Sequence, residues 1–154
     1  TGNGGCLFIK EENTAILIFN SIFSYNYAAL NGGVMYFTGG VAYADVGSTL
    51  TITNSTLSDN NATYGGVAYV YARSTLIITN STLSDNSASS NGGVAKIDTG
   101  STCIITTSAI RGNNASSYGG VTYVNEGSTL IITNSTLSDN SAVSAPQSIY
   151  THVA

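Results

Sequence analysis

The chain holds 154 residues, 42% hydrophobic and only 8% charged, with 17 Gly, one Pro, no Trp and a formal net charge of −4. That length suits one globular or solenoid unit. Four Lys plus Arg leave no basic stripe to neutralise phosphates, which argues against nucleic acid and acidic membrane surfaces as partners. Ser, Thr and Asn number 21, 20 and 16; they compete for backbone hydrogen bonds in helices, so an all-β chain is expected. No apolar run approaches the roughly 20 residues that span a bilayer. With no initial Met, no signal-peptide pattern and no linker-like shift in composition, the chain reads as an excerpt of a longer one.

In chain order, a diverged repeat copy opens at Gly4-Gly5 and ends at Asn26. Gly39-Gly40-Val41-Ala42-Tyr43 then returns at Gly65, Gly92 and Gly119, at spacings of 26 and 27 residues. A second block, Ser48 to Asn60, recurs from Ser74 to Asn86 and from Ser128 to Asn140, with a diverged copy from Ser101 to Asn113. A fixed period in this range signals a solenoid, and short β-rich runs separated by Gly-Gly, Asn and Ser suit one turn of a parallel β-helix. About five coils of 26–28 residues are expected, at 4–31, 39–64, 65–91, 92–118 and 119–145. In the half-coil at 146–154, Pro146-Gln147 replaces Gly-Gly. Residues 32–38 are expected to be irregular, because Gly32-Gly33-Val34 precedes the next Gly-Gly-Val by only seven residues.

Gly-Gly-Val recurs at 32, 39, 65, 92 and 119, and an aromatic or aliphatic residue stands three before Asn in Phe23–Asn26, Leu57–Asn60, Leu83–Asn86, Ile110–Asn113 and Leu137–Asn140. In both marks the chain resembles the polymorphic outer-membrane protein repeat, with Leu or Ile mostly replacing the Phe that the family favours. The resemblance spans nearly the whole chain. It implies a right-handed parallel β-helix on a cell surface, in adhesins or extracellular fibres, and no enzyme.

Superposed copies give the side-chain directions, since a column that stays apolar faces the core. Leu50, Leu76, Cys103 and Leu130, then Ile52, Ile78, Ile105 and Ile132, should point inward with Leu57, Leu83, Ile110 and Leu137. Thr53, Thr79, Thr106 and Thr133 should point out. Phe8, Tyr36, Tyr43, Tyr69, Lys96, Tyr123 and Tyr150 share a column, and Lys96 argues for an outward tyrosine ladder, with inward tyrosines as the alternative. One coil cannot bury its own core, so coils must stack.

Two asparagine columns stand out. Asn26, Asn60, Asn86, Asn113 and Asn140 follow the core aliphatic at a corner, where Asn accepts the left-handed conformation and hydrogen-bonds its stacked counterpart. Asn54, Asn80 and Asn134 begin Asn-Ser-Thr acceptors for N-linked glycans, and Asn61 and Asn114 add two more. Repetition explains their regular spacing without any sugar.

Asp59, Asp85 and Asp139 read as solvated turn residues, since a calcium ladder needs more converging oxygens; no metal or cofactor is expected. Cys6 and Cys103 lie nearly four coils apart, too far for a bridge. Catalysis needs clustered acid–base or nucleophile–base groups, whereas the only His is His152 and the four basic residues do not recur on one face. The expected role is a non-enzymatic segment of an extracellular or cell-surface filament or stalk, glycosylated and self-associating by end-to-end sheet continuation. A surface adhesin is the alternative, and a polysaccharide-active enzyme the remote one.

Overall fold

Each β-rich run alternates inward aliphatics with outward threonines, and one such run cannot be buried without a neighbour on each side. In the computed structural model, which describes residues 6–9, 14–38, 47–98, 100–144 and 148–151, the chain meets that need by winding. The first coil contributes β1 (Leu7–Ile9), β2 (Ala15–Phe19) and β3 (Ile22–Ser24). The second contributes β4 (Met35–Thr38), β5 (Thr49–Thr53), β6 (Thr56–Ser58) and β7 (Asn61–Ala62). Then come β8 (Ala68–Tyr71), β9 (Thr75–Thr79), β10 (Thr82–Ser84) and β11 (Ser87–Ala88), followed by β12 (Ala95–Ile97), β13 (Thr102–Thr106), β14 (Ala109–Arg111) and β15 (Asn114–Ala115). A further coil holds β16 (Thr122–Val124), β17 (Thr129–Thr133), β18 (Thr136–Ser138) and β19 (Ser141–Ala142), and β20 (Ile149–Thr151) closes the series.

Strands of successive coils pair in parallel and one to one, giving four sheets along a common axis. Sheet one runs β1-β4-β8-β12-β16-β20, sheet two β2-β5-β9-β13-β17, sheet three β3-β6-β10-β14-β18 and sheet four β7-β11-β15-β19. The molecule is a parallel β-solenoid, with no helix among the described residues. Four coils carry all four strands, whereas the first supplies three and the last only β20. The solenoid therefore has about four full turns, against the five expected.

The core columns fall where the alternation places them. Leu50, Leu76 and Cys103, with Ile52, Ile78 and Ile105 and with Leu57, Leu83 and Ile110, are buried in one cluster. It is completed by Val34, Val67, Val94 and Val121 and by the inward residues Val70, Ile97 and Val124 of sheet one. Leu130 and Ile132 are half-buried and Leu137 is 37% exposed. They face inward as expected, but no described strand of sheets two and three lies beyond β17 and β18.

Residues 32–38 are regular, contrary to expectation. Gly32 N–H bonds Tyr64 O, Gly33 N–H bonds Gly65 O and Val34 N–H bonds Val67 O, at 2.8, 3.1 and 3.1 Å. The strand β4 then pairs with β8, Tyr36 opposite Tyr69. Of the two closely spaced Gly-Gly-Val motifs, the first is thus the one built into the wall. The second coil begins at Gly32 rather than Gly39. Tyr43 lies outside the described residues, as do Gly4-Gly5 and Pro146-Gln147. At the other end Ile149 and Tyr150 pair with Thr122 and Tyr123, which places the half-coil as the repeat predicts.

The Gly-Gly pair has two separate causes. Gly32, Gly65, Gly92 and Gly119 have φ between 58° and 73°, in the left-handed region. The second glycine of each pair packs against backbone: a Cβ on Gly93 would lie 2.1 Å from Gly120 O and 2.8 Å from Asn114 N. No side chain fits there.

Candidate functional site

The buried asparagine column is a continuous polar ladder. Asn60, Asn86 and Asn113 are fully buried, and each Oδ1 accepts two hydrogen bonds from the Asn of the preceding coil. One comes from its backbone N–H at 3.0–3.1 Å and one from its Nδ2 at 2.9–3.0 Å. Asn140 Oδ1 accepts the same pair from Asn113. The second Nδ2 hydrogen goes to the carbonyl of Phe23, Leu57, Leu83 or Ile110, at 2.9–3.0 Å. Stacking is as expected, but the conformational role differs. The left-handed residue is the one before the Asn: Tyr25, Asp59, Asp85, Gly112 and Asp139, with φ of 55–65°. The corner residue turns the chain from sheet three towards sheet four, and the Asn after it points inward and satisfies buried backbone groups.

Five residues earlier a second corner repeats this division. Asn20, Asn54, Asn80, Thr107 and Asn134 have φ of 49–51°, so the glycan-acceptor asparagines are themselves the left-handed corner. Asn54, Asn80 and Asn134 are exposed on one edge, with Asn80 Nδ2 bonded to Asn54 Oδ1 at 2.6 Å. The residue after each makes a serine ladder: Ser21, Ser55, Ser81 and Ser108 donate backbone N–H to Oγ of Ser55, Ser81, Ser108 and Ser135, at 3.1–3.2 Å. Each Oγ donates to the carbonyl two residues back. Sequence reasoning missed this ladder, although an unbroken Ser column was its signal. Asn61 and Asn114, in β7 and β15, are half-buried, and Asn114 Oδ1 accepts from Ser141 Oγ at 3.0 Å.

Tyr69, Lys96, Tyr123 and Tyr150 lie in one register on sheet one, while their strand neighbours Ala68, Ala95 and Thr122 on one side and Val70, Ile97 and Val124 on the other fill the core. The column points outward, yet it is not simply solvated: Tyr69 is 9% exposed. Tyr64 and Tyr71 pack against Tyr69, and Tyr118 packs against Tyr123 and Tyr150. The Tyr123 and Tyr150 rings stack at 5.2 Å. Lys96 interrupts the aromatic series without a gap, its Nζ 4.4 Å from the Tyr64 centroid and 4.9 Å from that of Tyr69. The ammonium is 3.4 Å from Asp98, which also accepts from Tyr69 Oη at 2.7 Å and from Asn125 Nδ2. One carboxylate thus ties three coils together. Burial pushes the Tyr123 phenol above its ordinary pKa, with Tyr150, Asp98 and Tyr118 adding to the effect. Tyr36 keeps its backbone place in the series, opposite Tyr69.

Asp59, Asp85 and Asp139 are exposed corner residues. Among the described residues no group of three or more His, Cys, Asp or Glu is placed to hold a metal ion. Both cysteines are free, Cys6 exposed and Cys103 buried, and desolvation raises the Cys103 thiol from its ordinary 9.0 to about 12. The neutral thiol is thus favoured in the folded state. Its contribution to stability is complete below pH 9 and is lost as pH rises towards 12. Under native conditions at pH 8 we expect iodoacetamide to label Cys6 alone, with Cys103 labelled only after denaturation; native labelling of Cys103 would show that the core opens there.

These features define a parallel β-solenoid repeat protein whose distinctive surfaces are an asparagine edge, a tyrosine face and a threonine face. Comparison with protein-family models, curated proteins and solved structures gives no match. The likeness to the polymorphic outer-membrane protein repeat therefore rests on the two motifs that carry it.

Proposed function

We propose that this chain is a structural repeat segment of an extracellular or cell-surface filament or stalk, which lengthens by continuing its sheets coil on coil. The observation that carries this reading is the shared polarity of the two ladders. Along both ladders the Asn and Ser N–H groups donate towards the C-terminal neighbour, and the Oδ1 and Oγ atoms accept from the N-terminal one. A coil so built is complete only when neighbours lie on both sides. Electron microscopy of the purified chain should show axial polymers one solenoid wide. Single particles at every concentration would overturn the assignment.

The acceptor edge extends the same proposal. Asn54, Asn80 and Asn134 carry N-linked glycans after passage through a secretory pathway, with the contact between Asn54 and Asn80 limiting that pair to one sugar. Intact mass before and after glycosidase treatment tests this, and an unchanged mass would refute it. A surface adhesin is the second reading, favoured by the tyrosine face, where Tyr71 and Tyr118 are 39% and 37% exposed. Saturable cell binding that Tyr118→Ser abolishes, without polymer formation, would put that reading first. Neither reading includes catalysis, and turnover of a polysaccharide by the purified chain would displace both.

A further inference from the structure

We propose that the outer face of β5, β9, β13 and β17 in sheet two is an ice-binding surface, one that ends at β2, whose outward residues are Ala15, Leu17 and Phe19. The strands β5, β9, β13 and β17 begin and end with threonine, and the central outward residue is Thr51, Ile77, Ile104 or Ile131. Outward positions alternate with the buried Leu50, Ile52 and their equivalents, and all twelve are half-buried or exposed. The strands pair in continuous five-residue register, so the side chains form a two-dimensional lattice of about 4.8 Å across strands and about 6.6 Å along them. These repeats are close to the oxygen spacings on a prism face of hexagonal ice.

The chemistry matches the spacing. A threonine hydroxyl exchanges hydrogen bonds with water, while its methyl and the neighbouring isoleucines limit the orientations available to that water. The Thr79 and Thr106 hydroxyls lie 3.1 Å apart, within bonding distance of one another. None of the twelve outward positions is charged, so no ion imposes a competing hydration shell, and the partner selected is neutral. Area argues against a second protein copy. Even with β2 included, five strands of five residues cover roughly 400 Å², against about 800 Å² per partner in a stable interface. A crystal lattice needs no such area from one molecule, because adsorption there is not reversed by a competing solvent shell once ice has grown around it. This inference stands apart from filament formation.

The test uses the purified chain and ice itself. Protein is partitioned between a slowly grown ice boundary and the remaining liquid, and recrystallisation of fine-grained ice is followed in parallel. The wild type should concentrate in the ice and halt grain growth. Ile104→Lys, which places a charge in the central column of the lattice, and Thr106→Tyr, which places a bulky ring in the flanking threonine column, should lower ice partition by about tenfold or more. Tyr71→Ser on the tyrosine face should leave it unchanged, and circular dichroism with thermal unfolding checks that all three remain folded. Exclusion of the wild type from ice would overturn the proposal, as would equal partition of folded Ile104→Lys or Thr106→Tyr. A concentration-dependent dimer that Thr106→Tyr abolishes would reassign the face to self-association.

Discussion

Gly93→Ala should lower the unfolding free energy by about 4 kcal/mol or prevent folding altogether, the range expected when a core clash has no route of relief. The added Cβ would meet Gly120 O at 2.1 Å and the backbone of Asn114 at 2.8 Å, and neither is the movable end of a side chain. Gly120 belongs to the next coil and Asn114 to β15 in the wall of the same coil, so making room means separating two coils and opening one of them. Gly127→Ala provides the contrast: its φ is 71°, but nothing lies within 4 Å of the added methyl. That change should cost only the left-handed backbone penalty of about 1–2 kcal/mol. Urea unfolding of the two variants measures the difference, and similar midpoints would show that the close approach at Gly93 does not limit packing.

Asn86→Ala should cost about 3–5 kcal/mol, since removing a buried group that satisfies several others leaves each of them desolvated and unbonded. The amide bonds the backbone N–H and Nδ2 of Asn60, the carbonyl of Leu57 and Oδ1 of Asn113. Asn80→Gly, at the exposed left-handed corner, should be nearly neutral by the same measurement, because glycine accepts φ of 49° at no steric cost. Equal losses at the two positions would refute the division between a buried ladder and a surface corner.

Much of this architecture was readable from spacing. The 26- and 27-residue period places sheet two and sheet three in register, because Leu50, Leu76 and Cys103, or Leu57, Leu83 and Ile110, can be buried together in only one alignment. The segment from Gly32 to Tyr43 was not readable, since both Gly-Gly-Val motifs satisfy the local pattern. Only the hydrogen bonds from Gly32 and Gly33 to the next coil distinguish them. The left-handed residue was missed at the buried corner because Tyr25, Asp59 and Gly112 share no chemistry, only a place in the turn. Serine escaped notice for another reason: a hydroxyl in a polar stretch looks solvated, although Ser55 and Ser81 are buried and bonded to backbone on both sides.

All the inter-coil hydrogen bonds, in the sheets and in both ladders, run along the solenoid axis, whereas the covalent chain runs around it. Tension applied to the two chain ends therefore loads the bonds of one terminal coil at a time and peels it away, and the remaining coils are left intact. Compression and bending are instead shared by four sheets and a continuous apolar core. A stalk of this kind is a strut and a poor rope: under a pull it should lengthen stepwise, each detached coil releasing its own length of chain, 27 residues for the coils that open at Gly65 and Gly92 and 33 for the one that opens at Gly32.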